Sequence, residues 1–320
     1  MSARVVVTGG AGFIGSHVVE ELLRRGASVV VVDDFSSGKD ANLDGMKGRL
    51  EVVRGSISAL EPLQQATRGA DYVIHLAAQT SVPRSVADPA ETNRVNVDGT
   101  VNVLVAARDA NVRRVVVAAS SSAYGETPTL PKGEHMRPQP ISPYGVSKFV
   151  GELYAQVFGR CYGLENVALR YFNVFGPRQD PGSPYSGVLS RFIMAMLEGR
   201  QPTVFGDGQQ SRDFTYVSNV VDATLRAAET PGVSGMVFNV GTGGRFTLNH
   251  TLNLLAKVSG KPANPQYDPA RPGDIRDSQA DISLARRRLS YMPTVDFEKG
   301  LRFTWNWYAS QLKQSCSMIS

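Results

Sequence analysis

Cysteine is almost missing. Cys161 and Cys316 are the only two in 320 residues, and they stand far apart in the chain. That excludes a disulfide framework or a CxxC metal site and points to a reducing cytoplasm. His17, His135 and His250 show no metal-ligand spacing, so no metal is expected. No apolar run is long enough to cross a membrane, and the N-terminus runs straight into a strand, so neither an anchor nor a signal peptide is expected. An excess of one charge sign is lacking too. The balance of 34 Lys and Arg against 29 Asp and Glu is +5, with short basic clusters only at Arg24 and Arg25, Arg113 and Arg114, and residues 286–288. A basic stripe for nucleic acid is therefore not expected; the scatter suits a solvated surface or an anionic small substrate. There is no internal repeat and no low-complexity tract.

What is present is organised around VVVTGGAGFIG, residues 5–15. A β-branched run ends in Thr8, a glycine-rich turn follows, and then helical spacing begins. Gly9 permits a tight turn out of the strand. Gly12 lets backbone N–H groups approach a pyrophosphate, and Gly15 lets the new helix pack on the sheet. The phosphates would sit at the helix N-terminus, where free N–H groups and the macrodipole favour an anion. The helix is predicted over 14–25, with Ile14, Val18 and Leu22 on one face and Gly26 to end it. A second valine strand, 29–32, ends at Asp33, where an acid receives a ribose 2′-hydroxyl. No arginine adjoins it, Asp34 is a second acid, and Lys39 lies a few residues on. The reading is NAD over NADP.

Strands at 50–54, 72–76, 115–119 and 167–172 alternate with helices at 59–68, 92–110 and 144–162. Continuous apolar strands separated by helices mean a parallel sheet covered on both faces. The expected fold is α/β: a doubly wound parallel (Rossmann) sheet over residues 1–175 and a smaller α/β substrate lobe over 176–320, with some chain crossing back. In the second lobe, helices are expected at 188–198, 217–229, 248–258 and 297–311, and short strands at 203–205 and 236–240. Pro177, Pro181, Gly182, Pro184 and Gly187 suggest a loop before them, and the tail from Lys313 on reads as dispensable.

The strand at 115–119 runs into Ser120, Ser121, Ser122, Ala123, Tyr124 and Gly125. Further on comes YGVSK, which puts Tyr144 and Lys148 one helical turn apart on one face. A free phenol, with a pKa of about 10, is a poor base at neutral pH. A nearby ammonium and a positive nicotinamide both favour the phenolate. A serine hydroxyl can relay the proton or hold the substrate oxygen. Together they form a device for oxidising an alcohol with NAD. Tyr124 and Tyr154 read as packing residues, and His75 as a packed strand residue.

With these residues in place, the chain resembles the extended short-chain dehydrogenase/reductases of the nucleotide-sugar epimerase type. The likeness runs through TGGAGFIG, HLAAQ (75–79), SSSAYG, YGVSK, LRYFNVFGPRQ (169–179), SRDFTYV (211–217) and RPGD (271–274). VPRS (82–85), SRDF and DSQAD (277–281) make it most similar to UDP-N-acetylglucosamine 4-epimerases within the UDP-glucose 4-epimerase group. The resemblance implies that Gly9, Gly12, Phe13, Ile14 and Asp33 hold NAD. Ser56, where the family usually has Asp, and Ile57 lie by the adenine. Leu76, Ala77 and Ala78 pass under the nicotinamide, and Asn96 buttresses the site. Ser120 and Tyr144 act on the sugar 4-hydroxyl, and Lys148 bonds the nicotinamide ribose. Asn173, Arg212 and Arg271 grip the diphosphate and Asp274 the uridine ribose. It also implies a homodimer through the helices at 92–110 and 144–162.

Related dehydratases and decarboxylases carry a carboxylate just after the active-site serine or threonine. This chain has Ser121 and Ser122 there, so 4-epimerisation is the expected reaction. Ser278 stands where enzymes restricted to unacetylated sugars carry a tyrosine, leaving room for an N-acetyl group. Ser81, Ser85 and Ser122 would offer further hydroxyls. The expected substrates are UDP-GlcNAc and UDP-GalNAc, with UDP-Glc and UDP-Gal. The alternatives are a UDP-uronic acid 4-epimerase, a dehydrogenase that releases NADH, and a silent NAD-binding scaffold.

Overall fold

Valine-rich runs become sheet here because side chains branched at Cβ suit extended backbone and fill both faces of a buried strand. The computed structural model describes residues 3–181, 187–270 and 275–317. It starts with β1 (Arg4–Thr8), α1 (Phe13–Arg24) and β2 (Ser28–Asp33). β3 (Arg49–Arg54), α2 (Leu60–Thr67) and β4 (Tyr72–His75) follow. Two short helices, α3 (Val82–Ala87) and α4 (Pro89–Asn93), lead through a wide π-turn at Arg94–Asp98 into α5 (Gly99–Asp109). Then come β5 (Arg114–Ser120), a tight helical turn at Ser121–Tyr124, α6 (Pro143–Tyr162) and β6 (Glu165–Tyr171).

The second half opens with β7 (Asn173–Phe175), α7 (Val188–Leu197), β8 (Thr203–Phe205), β9 (Ser211–Arg212) and β10 (Phe214–Tyr216). It continues with α8 (Val217–Glu229), β11 (Met236–Val240), β12 (Phe246–Thr247) and α9 (Leu248–Ser259). β13 (Gln266–Asp268), α10 (Ser283–Leu289) and α11 (Phe297–Ser317) complete it.

Seven strands form one sheet in the order β11-β6-β5-β4-β1-β2-β3. Every neighbouring pair in it is parallel. Alternate residues of each strand serve opposite faces. Val6, Val30 and Val73 pack with Leu63, Leu104 and Phe158 on one side. Val5, Val7 and Ile74 pack with Val18, Leu22 and Leu225 on the other. The order reverses beside β1, so a crevice opens at the carboxyl ends of β1, β2 and β4. A separate aromatic cluster, with Phe175, Phe192, Phe214, Phe297 and Trp305, holds α7, α9 and α11 together.

Four expectations change. The helix predicted over 92–110 is interrupted by the π-turn, which carries a buried Asn96 amide that reaches Gln79 and Ser147. Residues 236–240 belong to the large sheet, as its edge strand beside β6. The helix expected over 297–311 runs on to Ser317 as α11. Tyr154 is exposed on α6 instead of packed. No helix among the described residues is long and apolar enough to cross a membrane.

Candidate active site

The glycine turn is shaped by contacts that forbid side chains. Gly9 adopts φ +70°, and a Cβ there would stand 2.7 Å from the Ala77 nitrogen. A Cβ on Gly15 would stand 2.0 Å from the Gly9 carbonyl oxygen. Gly12 is the N-cap of α1 and supplies no side-chain cap, so the first N–H groups of the helix keep room for an anion. Phe13 and Ile14 are partly exposed beside it. Asp33 closes the turn from β2. One carboxylate oxygen accepts the Ala11 N–H at 2.9 Å and the other the Phe35 N–H at 2.9 Å. Burial raises this carboxyl above its ordinary value, and the two N–H donors oppose that. Lys39, the nearest cation in sequence, pairs with Asp180 at 3.2 Å.

The other residues expected to meet the coenzyme follow the carboxyl ends of β3 and β4. Ile57 is buried, and Asn102 holds its carbonyl and that of Ser58 at 3.1 Å each. The Ser56 hydroxyl accepts the Ser58 N–H. Leu76, Ala77 and Ala78 leave β4 partly exposed. Asn96 clamps the next residue: its amide oxygen accepts the Gln79 N–H at 2.8 Å and its amide nitrogen donates to the Gln79 carbonyl at 3.0 Å. Such a cradle, with backbone exposed at three strand ends and an acid at the second, fits a dinucleotide.

Ser120 ends β5, nearly buried, and its hydroxyl accepts the Ser122 N–H at 3.1 Å, which fixes the turn. Burial is the largest influence on the Tyr144 phenol and raises it, while the nearby Ser120 side chain works against that. Lys148, one turn along α6, is buried and pushed down to about 8. None of the ion pairs found among the described residues engages it. A buried ammonium without a carboxylate is suited to neutral hydroxyl acceptors.

The polar set expected around a sugar and diphosphate divides. Ser121 and Ser122 are partly exposed. Ser81 is nearly buried, and its hydroxyl caps α3 by accepting the Arg84 N–H. Ser85 is a correction: it is fully buried, donates to the Val82 carbonyl and accepts the Tyr144 N–H at 3.1 Å, so it offers nothing to a sugar and holds Tyr144 instead. Asn173 is exposed on β7, and its N–H donates to the Asp213 carbonyl. The Arg212 guanidinium donates to the Ser211 and Arg276 carbonyls. Ser278 is buried beside it, with its N–H on the Ser211 carbonyl. Arg271 and Asp274 lie outside the described residues.

Two residues were missed. Asp213 is fully buried and accepts from the Thr242 N–H and hydroxyl, the Gly243 N–H and the Ala280 N–H. It ties β9 to the segment carrying Ser278. Lys132 is also buried and donates to the Gly125 carbonyl at 2.7 Å, just past the serine turn. Asp213 lies inside the SRDF motif, which was the available signal; Lys132 had none.

A family model for the NAD dependent epimerase/dehydratase family matches residues 5–241. The fold is similar to a UDP-N-acetylglucosamine 4-epimerase from Methanobrevibacter ruminantium M1 solved with UDP-N-acetylmuramic acid. The TM-score is 0.93, at 42% identity, covering 97% of this chain and 99% of that one. It is also similar to a UDP-glucuronic acid 4-epimerase from Bacillus cereus solved with UDP-glucuronic acid and NAD. There the TM-score is 0.90, at 34% identity, covering 97% and 99%. A UDP-glucose 4-epimerase of Mycolicibacterium smegmatis is 40% identical over 313 residues, 96% of this chain and 99% of the relative. With the coenzyme crevice, the serine turn and the Tyr144–Lys148 helix assembled at one end of the sheet, the chain belongs to the NAD-dependent epimerase/dehydratase family.

Proposed function

We propose that this NAD-dependent UDP-sugar 4-epimerase interconverts UDP-GlcNAc with UDP-GalNAc, and UDP-Glc with UDP-Gal. The observation that carries the reading is the Tyr144 phenol near Ser120, one helical turn from the buried Lys148, with hydroxyls at Ser121 and Ser122 where elimination or decarboxylation would need a carboxylate. NAD, when bound, supplies oxidising and re-reducing capacity at C4. Gly9, Gly12, Phe13, Ile14, Asp33, Ser56, Ile57, Leu76, Ala77, Ala78 and Asn96 hold or frame it. Tyr144 takes the proton of the sugar 4-hydroxyl and later returns it. Ser120 holds the oxygen, and Lys148 bonds the ribose and favours the phenolate. Asn173, Arg212, Arg271 and Asp274 anchor the UDP while the keto-sugar turns over. Ser81, Ser121 and Ser122 border the sugar, and the small Ser278 admits an N-acetyl group.

A second reading, a UDP-uronic acid 4-epimerase, is supported by the likeness to the Bacillus cereus UDP-glucuronic acid 4-epimerase. One assay separates the two. Purified protein without added NAD is mixed with UDP-GlcNAc, UDP-Glc or UDP-glucuronic acid, and products are read by NMR. The 4-epimers of the first two are expected. Epimerisation of the uronic acid alone would overturn the proposal in favour of the second reading.

A cytoplasmic homodimer is part of the same proposal. Val146, Leu153, Tyr154 and Val157 form an exposed apolar stripe along α6, continued by Tyr162. Light scattering at micromolar concentration is expected to give twice the chain mass; monomer alone would refute it.

A further inference from the structure

Buried hydrogen bonds join the coenzyme strand to the catalytic helix through His75, which the proposed reaction does not use. The Ala77 N–H donates to the Thr8 hydroxyl, and that hydroxyl lies 2.7 Å from His75 Nδ1. On the other side of the ring, Nε2 lies 2.9 Å from the Thr100 hydroxyl. Thr100 gives its own proton to the Asn96 carbonyl at 2.6 Å. Its oxygen must therefore accept from the ring, which makes His75 the Nε2–H tautomer with Nδ1 accepting from Thr8. From Asn96 the chain goes on: its amide donates to the Ser147 hydroxyl at 2.9 Å, and Ser147 donates to the Tyr144 carbonyl at 2.9 Å. Thr8, His75, Thr100, Asn96 and Ser147 are all buried.

We infer that His75 is a positioning residue for the epimerisation, and that as a neutral Nε2–H imidazole it sets the spacing between the 76–79 loop and the Tyr144–Lys148 pair. The inference rests on the reading that this loop passes under the nicotinamide. A neutral ring is what the surroundings permit. Burial, and then the Lys148 charge, hold its pKa down at about 3. A cation here would donate from both nitrogens and break the Thr8 contact as arranged. The π-turn serves the same chain, since it carries Asn96, the link between Thr100 and Ser147. Displacements of about 1 Å in such a frame can cost on the order of a hundredfold in rate.

The test uses His75→Phe, which keeps a ring but no nitrogen, and Thr100→Val, which cuts the next link. For both, kcat per bound coenzyme is expected to fall about tenfold, with KM for the UDP-sugar within about twofold because the UDP anchors lie in other elements. The double variant should be no worse than His75→Phe alone, since both cut one chain. Exchange of labelled NAD is expected to quicken in both, a readout that needs no sugar. Nitrogen NMR should report a neutral Nε2–H ring at His75 from pH 6 to 8. A kcat per bound coenzyme within about twofold of wild type in both variants would overturn the inference, as would additive losses, unchanged NAD exchange or an imidazolium signal. Absence of epimerisation by the wild-type chain would instead count against the proposed function, and the exchange and NMR readouts would still decide the role of His75.

Discussion

Glu152 and Arg170 offer the sharpest stability test, because they are opposite charges buried deep in the protein where α6 packs on β6. Arg170 on β6 donates through Nε and Nη2 to the two Glu152 oxygens at 2.9 and 2.7 Å. Each side chain is only 3% exposed, and the guanidinium lies 4.6 Å from the Tyr124 ring centroid. At about 4 Å and an effective dielectric of about 20, the attraction is roughly 4 kcal/mol. Desolvation of both ions offsets most of it, so the pair as a whole adds little net stability. Removing one partner is different. Glu152→Ala strands a buried guanidinium and is expected to cost about 3–5 kcal/mol in urea unfolding. Replacing both, as Glu152→Leu with Arg170→Met, should return stability to within about 2 kcal/mol of wild type. Glu152 sits one turn beyond Lys148 on α6, so the single variant should also lose activity per folded molecule. A cost below about 1 kcal/mol for Glu152→Ala would refute this account, as would a double variant whose loss equals the sum of the singles.

Four other outcomes follow from the same geometry. Gly15→Ala puts a methyl 2.0 Å from the Gly9 carbonyl, so copurified NAD, read from the ultraviolet absorbance ratio, should be lost. Gly26→Ala, at φ +82° with nothing within 4 Å, should keep NAD and cost only about 1–2 kcal/mol of backbone strain. Because the His75 pKa drops from 6.5 to about 3 on folding, the unfolded chain binds more protons between those values, and stability must fall as pH falls through that window. At pH 5 the loss relative to neutral pH is about 2 kcal/mol, and His75→Phe should remove that component of the slope in urea titrations. Ser278→Tyr should suppress turnover of UDP-GlcNAc while sparing UDP-Gal; equal loss on both would count against a size filter at this buried position.

What the sequence made legible was what short segments decide alone. At Gly12 and Gly15 the turn is imposed by backbone crossing within a few residues, although Gly9 is also pressed by the distant Ala77. Asp33 follows from the end of a strand, and Tyr144 with Lys148 from one helical turn. The sheet was readable because its valines alternate between two buried faces. Hidden features depend on partners distant in the chain. Thr8 meets His75 across 67 positions, Asn96 meets Ser147 across 51, and Ser85 meets Tyr144 across 59. Nothing local distinguishes Ser85, which spends its hydroxyl on the helix backbone, from Ser122, which stays partly exposed.

Strand geometry explains the harder case of SRDF. Arg212 draws attention as a charged fork for a diphosphate, yet its neighbour Asp213 organises more of the structure. Successive side chains along extended backbone point to opposite sides. One of two adjacent charges therefore stays partly exposed and the other faces the protein, where a carboxylate survives only with several donors around it. Arg212 is partly exposed, whereas Asp213 is fully buried under donors from Thr242, Gly243 and Ala280. Those donors bring the segment after Gly241 and the run through Ser278 against the strand that carries Arg212. The buried acid thus fixes where the partly exposed Arg212 stands, and under the proposed function the grip on a diphosphate would depend on a residue that no diphosphate touches.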